Sequence, residues 1–246
     1  MLENKRGGEF VNKFVFDVDG TLTPSRQSID PKFSEFFLEF CNTHDVYLVT
    51  GSDKDKTVEQ LGEELYNTVK VAYNCSGNDV YSHGVNIHSN NWTAPESLIT
   101  FLQGWLQTSS FPLRTGNHIE QRPGCLNFSI IGRNCTLEQR KDYIKHDLSY
   151  RERESIAFQV NFDYEDLTAA VGGETGIDIY PTGFDKSQII KDFNSFDRII
   201  FFGDKIEQGG NDYPLAKILK HPSRSHTVKD WQDTWRILNE NYANRT

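Results

Sequence analysis

The strongest constraint on the fold comes from residues 14–23, FVFDVDGTLT. An apolar run is followed by Asp17 and Asp19 and then by Gly20, which permits a sharp turn. Such a run predicts a buried parallel strand, and open α/β sheets bind ligands at the carboxyl ends of their strands. Two carboxylates one residue apart can act as a nucleophile that also binds metal and as a general acid and base. In an isolated D-x-D-G the two carboxylates could equally cap the turn. Polar residues elsewhere in the chain must therefore decide between a structural and a catalytic role.

Composition limits the classes of protein that fit. The chain has 246 residues, of which 37% are hydrophobic, and this is enough for two cores. Its formal net charge of −9 argues against a general nucleic-acid or anionic-membrane binder. We expect a cytoplasmic protein without a membrane partner, since no apolar run is long enough to span a bilayer and the first residues lack a signal-peptide core. Four cysteines without zinc-site spacing are expected to be free thiols, at positions 41, 75, 125 and 135.

Helical and strand patterns alternate through the first third of the chain and return after Lys186. They predict a helix that begins at Pro31, a charged helix from about Lys54 to Tyr66 and a last helix from about Trp231 to Asn241. Between them, strands in adjacent pairs with intervening helices predict an antiparallel sheet with helices on one face. The residues after Cys75 are rich in turn formers and have no helical period, so we expect a domain boundary there. The sequence therefore predicts an α/β core of residues 1–82 and 187–246, with an α+β cap of residues 83–186.

Several polar side chains follow predicted strands of the core. Each alone has an ordinary structural interpretation, such as an N-cap, a surface lysine or a turn residue. Together they suit a phosphoryl group, because three carboxylates favour Mg²⁺ while lysine and serine bind phosphate oxygens. The set is Asp17, Asp19, Ser52, Lys186, Asp204 and Asp212.

The order of these motifs, D-x-D-G-T, T-G-S, D-K and G-D-x(7)-D, resembles that of haloacid-dehalogenase-type (HAD) phosphotransferases. The interruption after the third strand is similar to the inserted cap of that superfamily. The resemblance implies a HAD-like Rossmannoid parallel sheet with an inserted α+β cap.

The predicted cap contains a local basic cluster. Residues 113–141 carry five basic and two acidic side chains, a local charge of +3 within an acidic chain. Arg122, Arg133 and Arg140 flank two predicted strands and could bind an anion, although surface charges are the alternative interpretation. The segment RPGCLNFSIIGRNCTLEQR closely resembles the cap signature of eukaryotic-type phosphomannomutases, as do FDVDGTLTPSRQ, GGETGIDIYPTGFDK and FFGDKIEQGGND.

This resemblance implies roles for individual residues. Asp17 would be the nucleophile and Asp19 the general acid and base, while Ser52 and Lys186 would bind the transferring phosphoryl group. Mg²⁺ would be held by Asp17, Asp19 and Asp204, with Asp212 behind them. The sugar and its other phosphate would be bound by Arg26, Arg122, Arg133, Arg140 and Asp178.

The implied reaction interconverts mannose 6-phosphate and mannose 1-phosphate through an aspartyl-phosphate enzyme. A hexose 1,6-bisphosphate would activate the enzyme, the product would feed GDP-mannose synthesis, and the protein would be a cytosolic homodimer joined through the cap. A sugar-phosphate phosphatase of the same superfamily and a non-catalytic sugar-phosphate binding protein are the alternatives. No motif separates mannose from glucose, so glucose 1-phosphate stays a candidate substrate.

Two positions depart from the family pattern. Gly176 stands where the family has a ligand-binding serine, and one lost hydroxyl contact, worth roughly 0.5 to 1.5 kcal/mol, predicts weaker binding rather than a different reaction. His221 and Pro222 stand near a family Asp-Pro at an extra cation site, so a second cation is not predicted.

Overall fold

A computed structural model of the chain describes residues 10–219, 221 and 224–242. Within these residues the backbone forms eleven strands and eight α-helices. The strands are β1 (Val11–Phe16), β2 (Asp45–Val49), β3 (Val71–Asn74), β4 (Asp79–Ser82), β5 (Val85–Ser89), β6 (Ile119–Arg122), β7 (Cys125–Phe128), β8 (Leu167–Gly172), β9 (Gly176–Pro181), β10 (Asp197–Gly203) and β11 (Ser225–Thr227). The α-helices are α1 (Pro31–Thr43), α2 (Lys54–Leu61), α3 (Glu63–Thr68), α4 (Glu96–Thr108), α5 (Leu137–Tyr150), α6 (Glu152–Asp163), α7 (Tyr213–Leu219) and α8 (Trp231–Asn241).

The larger sheet has seven strands in the order β11-β10-β1-β2-β3-β4-β5. Its first five strands are parallel, whereas β4 and β5 run antiparallel to their neighbours. The strand β1 is the middle one of the five parallel strands, with Phe14 paired to Ile200 of β10 and to Val46 of β2. The carboxyl ends of these central strands therefore meet at one edge, where the sequence predicted the site.

Helices cover both faces of this sheet. Because side chains alternate along a strand, Phe14 and Phe16 pack against α1, while Val15 packs on the opposite face with Leu215 of α7. Asp30 is the N-cap residue of α1, and its carboxylate accepts from the backbone N–H groups of Lys32 and Phe33. Its buried phenylalanines recur at helical spacing, and this confirms the predicted helix–sheet layering.

The smaller sheet has four antiparallel strands in the order β6-β7-β9-β8. A second hydrophobic core lies beneath it, with Leu102 of α4, Tyr143 of α5 and Ile156 of α6 packed against Phe128 and Ile179 of the strands. The two cores predicted from length and composition are therefore present, and the α/β core with an α+β unit is confirmed.

The larger sheet continues beyond the predicted boundary at residue 82. Residues 85–89 form β5, which pairs with β4 through a turn at His83 and Gly84. We therefore propose that the cap begins after Ser89, and we retain residue 186 as its proposed end. The helix predicted for residues 54–66 is divided at Gly62, whose φ of +83° ends α2.

Candidate active site

The candidate site lies where β1 and β10 end. Asp17 follows β1 directly and Asp204 follows β10, so the parallel pairing of these strands brings the two carboxylates together. The chain turns at Gly20, three residues after Asp17, where φ is +80°. A Cβ atom at this position would lie 2.5 Å from Oδ2 of Asp204, so the turn requires glycine both for its backbone conformation and for its small size.

Three carboxylates converge within this site. Oxygen atoms of Asp17, Asp204 and Asp212 all lie within 4.8 Å of one another. Asp17 and Asp212 are buried, and Asp204 is partly exposed. Carboxylate oxygens at this separation match the ligand preference of a hard divalent cation such as Mg²⁺.

Lys186 supplies a positive charge to the same group. Its Nζ atom donates to Oδ1 of Asp17 at 2.6 Å and to Oδ1 of Asp212 at 2.7 Å. Asp212 also accepts from the backbone N–H of Lys205. The predicted phosphate-binding lysine is thus fully buried and paired with two carboxylates.

Burial dominates the electrostatics of the group. It raises the pKa of Asp17 to about 8, since Asp204 and Asp212 add to the effect of burial and outweigh the opposing charge of Lys186. Burial also raises the pKa of Asp204. Burial alone would lower the pKa of Lys186, but Asp17 and Asp212 raise it overall. Three carboxylates thus face two lysines, since Nζ of Lys205 lies 3.3 Å from Oδ2 of Asp204. A divalent cation would favour the ionised form of all three carboxylates.

Asp19 lies in a different environment. Its Oδ1 accepts from the backbone N–H of Arg26 at 2.7 Å and from Nε2 of Gln60 at 3.1 Å, and its Oδ2 accepts from Oγ of Ser52 at 3.3 Å. Among the described residues, Asp19 is outside the three-carboxylate group that Asp204 and Asp212 form with Asp17. Metal binding through the Asp19 side chain stays a prediction.

Four arginines line the same cleft, which has an empty volume of about 580 Å³ including open solvent. Arg122 and Arg133 both donate to Glu120, at 2.5 Å and 2.8 Å, and Arg140 donates to Glu174 at 2.5 Å. The four are Arg26, Arg122, Arg133 and Arg140. The structure thus brings the predicted cap arginines to the cleft that contains the predicted nucleophile.

Asp178 lies on the cap side of the cleft. It is paired with Asn127, whose Nδ2 donates to Oδ1 of Asp178 at 2.6 Å. Burial raises the pKa of Asp178, although Arg122 and Asn127 act in the opposite direction. A Cβ atom on Gly176 would approach Nδ2 of Asn127 at 2.9 Å, so a serine here would need that amide to shift. The neighbouring Thr175 offers a hydroxyl instead, which accepts from Arg140 at 3.4 Å.

Several residues of the cleft were not predicted from the sequence. Gln60 is a polar residue on the buried face of α2, and Asn127 is a polar residue within the apolar strand β7. A buried polar side chain in an apolar element is a signal that could have identified both. Glu174 had no such signal. His221 is described, but Pro222 lies outside the described residues, and the expectation of no second cation stays a prediction.

Residues 33–244 match the family model "Eukaryotic phosphomannomutase". The chain belongs to this family. A phosphomannomutase of Dendrobium officinale is 34% identical over 228 residues, covering 89% of this chain and 90% of the relative. A phosphomannomutase of Drosophila melanogaster is 34% identical over 241 residues, covering 92% of this chain and 93% of the relative.

Solved structures support the same fold at lower sequence identity. A haloacid dehalogenase-like hydrolase from Bacteroides thetaiotaomicron superposes with a TM-score of 0.52 at 13% identity, covering 84% of this chain and 85% of the hydrolase. The chain therefore has a HAD-like fold, with an α/β core and a cap domain. No helix in the described ranges is long and apolar enough to cross a membrane.

Proposed function

We propose that the chain interconverts mannose 6-phosphate and mannose 1-phosphate by phosphoryl transfer through Asp17. The observation that carries this proposal is a single cleft lined by Asp17 and Asp19 on the core and by Arg122, Arg133 and Arg140 on the cap. The carboxylates supply a nucleophile and an acid, and the arginines supply an anion site outside the chemical centre. The phosphomannomutase relatives support mannose phosphates as the substrate class.

In the proposed reaction, an Asp17 oxygen attacks phosphorus of a hexose 1,6-bisphosphate, which forms the aspartyl-phosphate. The bond between phosphorus and the sugar oxygen breaks, and Asp19 donates a proton to that oxygen. In the reverse step, Asp19 accepts the proton of a sugar hydroxyl while the oxygen of that hydroxyl attacks the phosphorus of the aspartyl-phosphate. The bisphosphate formed in this reverse step then rotates in the cleft and presents its other phosphate to Asp17. A further transfer to Asp17 regenerates the aspartyl-phosphate and leaves the isomeric monophosphate as the net product.

The hydrogen bonds of Asp19 suit this role. The backbone N–H of Arg26 and the side chains of Gln60 and Ser52 donate to its carboxylate and orient it, so that it can exchange a proton with the sugar. Lys186, held by Asp17 and Asp212, would neutralise charge on the transferring phosphoryl group. We propose that Ser52 also contacts this phosphoryl group when the ligand is bound.

The donor set suits Mg²⁺, with Asp17 and Asp204 as ligands and Asp212 beside them. When bound, the cation would stabilise negative charge on the phosphoryl oxygens and on the attacking carboxylate. We keep Asp19 as a further proposed ligand. The crowding of Asp17 and Asp204 in a buried site, which raises the pKa of both carboxyl groups, supports a cation between these two residues.

The cap arginines would bind the distal phosphate, and Asp178 would bind a sugar hydroxyl. A guanidinium group can donate hydrogen bonds to phosphate oxygens in several orientations, and a bisphosphate that must reverse its orientation in the cleft requires such an anion site. Arg122 already contacts the core, because its Nη1 donates to the carbonyl of Gly51 at 3.1 Å. Closure of the cap over the ligand would exclude the water that otherwise hydrolyses the aspartyl-phosphate.

We propose further that the enzyme is a cytoplasmic homodimer joined through the cap and that its product feeds GDP-mannose synthesis. The exposed apolar side chains on the cap, including Leu148, Phe158 and Phe162, support an association surface there.

A coupled assay tests the proposed function. Mannose 1-phosphate or glucose 1-phosphate is supplied with a hexose 1,6-bisphosphate and Mg²⁺, and the 6-phosphate product and free phosphate are measured in parallel. The proposal predicts isomerised product in large excess over free phosphate. Free phosphate as the main product would indicate a phosphatase, and the absence of both products would indicate a binding protein.

A further inference from the structure

The cap side of the cleft contains a carboxylate as well as arginines. Arg140 is 5% exposed, and its Nε donates to Oε2 of Glu174 at 2.5 Å. Glu174 itself lines the cleft. Because a buried guanidinium group without a partner is strongly unfavourable, this carboxylate stabilises Arg140 while no anion is bound. It also occupies a donor that a phosphate oxygen could use.

The two glutamates that pair with the cap arginines are not equivalent. Glu120 accepts from both Arg122 and Arg133, but among the described residues it is not part of the cleft lining. Glu120 therefore orients two arginines from outside the ligand volume. Glu174 lies within that volume, where its negative charge opposes the approach of an anion.

The loop that carries Glu174 allows its side chain to move while its backbone stays in place. Gly173, with a φ of +51°, has open space around its missing Cβ. Arg153 donates from Nη1 to the carbonyls of Gly172, Gly173 and Gly176 at 3.3 to 3.4 Å and fixes the loop to α6. The Glu174 side chain is 42% exposed, so it can turn into solvent without unpacking the cap.

We propose that Glu174 is a displaceable counter-ion that sets the affinity of the cleft for the distal phosphate. It pairs with Arg140 in the free protein, and the phosphate replaces it when substrate binds. The identity of the anion as a sugar phosphate rests on the proposed function. The competition itself applies to any phosphate-like anion, so it can be measured without turnover.

The proposal predicts that removal of the negative charge of Glu174 strengthens the binding of a phosphate-like anion in the cleft. Glu174→Gln keeps a hydrogen-bond acceptor for Arg140 but removes the competing charge. We expect the dissociation constant for inorganic sulfate, measured by isothermal titration calorimetry, to fall by roughly three-fold or more. The KM for mannose 1-phosphate should fall in the same direction. The melting temperature of the free variant should decrease slightly, because Arg140 loses its charged partner.

Two matched variants test whether the effect belongs to this site. Glu165→Gln removes the same charge at an exposed cap position near the opposite end of β8 and should leave sulfate affinity unchanged. Glu120→Gln keeps an acceptor for Arg122 and Arg133 and removes a charge from outside the cleft lining, so it should change sulfate affinity much less than Glu174→Gln does. If Glu174→Gln fails to fold, Glu174→Asp carries the test, because its shorter side chain should raise affinity in the same direction but less.

An unchanged or weaker sulfate affinity in Glu174→Gln would overturn the proposal. Equal strengthening in Glu165→Gln or Glu120→Gln would also overturn it, because it would indicate a general effect of net charge. A protein that lacks mutase activity yet gives the predicted affinities would contradict the proposed function alone.

Discussion

Asp17, Asp204 and Asp212 place three carboxylates around one small volume, and Lys186 contacts two of them. This excess of negative charge is the basis for placing a cation beside the nucleophile. Asp204 is the partly exposed member of the group and does not contact Lys186 in any hydrogen bond of the described structure. It lies 3.3 Å from Nζ of Lys205, and a bound cation would add to the neutralisation of its charge.

Asp204→Ala should raise the Mg²⁺ concentration needed for half-maximal mutase activity by about ten-fold or more, because a charged ligand is lost. Titration of activity against Mg²⁺ measures this change. Asp163→Ala, at an exposed position on α6, is the control and should behave as the wild type. A variant with an unchanged Mg²⁺ requirement and little loss of rate would remove Asp204 from the metal site.

We expect His226 to couple the stability of the core to pH. It stacks on Phe202 at 4.5 Å and shares a hydrogen bond with the hydroxyl of Tyr242. Burial lowers the pKa of His226 in the folded state. Protonation therefore favours the unfolded chain, and the stability that neutral His226 contributes is present above its ordinary pKa of about 6.5 and is lost as pH falls.

Urea unfolding of the wild type and of His226→Gln should reveal this linkage. The free energy of unfolding should fall between pH 8 and pH 5.5 by less in the variant than in the wild type, because glutamine does not titrate. His88→Gln, on the exposed strand β5, controls for the removal of a histidine. An identical pH dependence in wild type and His226→Gln would contradict the assigned environment.

Residue types and spacing predicted the carboxylates that share the cleft but not the full set of their contacts. Asp17, Asp19, Lys186 and Asp204 follow or precede strongly patterned strands, so their convergence could be inferred from the topology of a parallel sheet. Glu174 could not be inferred, because its place in the cleft depends on the path of a glycine-rich loop that has no periodic pattern.

At the scale of elements, hydrophobic periodicity predicted most helices and central strands. The helix α1 has its phenylalanines on one face, and α8 begins and ends at the predicted Trp231 and Asn241. The hairpin of β4 and β5 was missed, because β5 is exposed along its whole length and has no buried face to produce an alternating pattern. Its turn depends on positive φ at His83 and Gly84, a local preference that a search for periodicity overlooks.

The N-cap of α1 gives a direct test of how one element contributes to stability. Asp30→Ala removes the acceptor for two backbone N–H groups and should lower the free energy of unfolding by about 1 kcal/mol. Chemical denaturation measures the change. Glu35→Ala, at an exposed position within the same helix, should change stability much less. Equal effects from both substitutions would mean that the cap hydrogen bonds contribute little.

At the scale of the whole molecule, the cleft is formed by two separately packed hydrophobic cores. Asp17 and Asp204 follow strands of the larger sheet, whereas Arg122, Arg133 and Arg140 belong to the cap that contains the smaller one. Arg122 joins the two parts, since it donates to Gly51 of the core and lies 3.7 Å from Asp53. The proposed substrate binding by the cap arginines can therefore be separated experimentally from the proposed chemistry at Asp17.

Arg133→Ala tests this division of labour. The variant should lose at least about ten-fold in mutase kcat/KM, since a charged bidentate contact with the distal phosphate is lost. Hydrolysis of acetyl phosphate, which has no distal phosphate, should change far less. Free phosphate released per mutase turnover should rise, because the cap closes less completely over the aspartyl-phosphate. Lys145→Ala, which removes a largely exposed cap charge, is the control. Equal losses in both reactions would instead give Arg133 a structural role.

Mass spectrometry of the phosphorylated enzyme tests the central claim most directly. Wild type, Asp17→Asn and Asp19→Asn are each incubated with acetyl phosphate and Mg²⁺, quenched in acid and digested, and the phosphorylated peptide is identified. We predict phosphate on Asp17 in the wild type and in Asp19→Asn, because acetate leaves without a proton from Asp19. We predict none in Asp17→Asn, because an amide does not attack phosphorus. A phosphorylated peptide in Asp17→Asn, or phosphate on another residue in the wild type, would contradict the account.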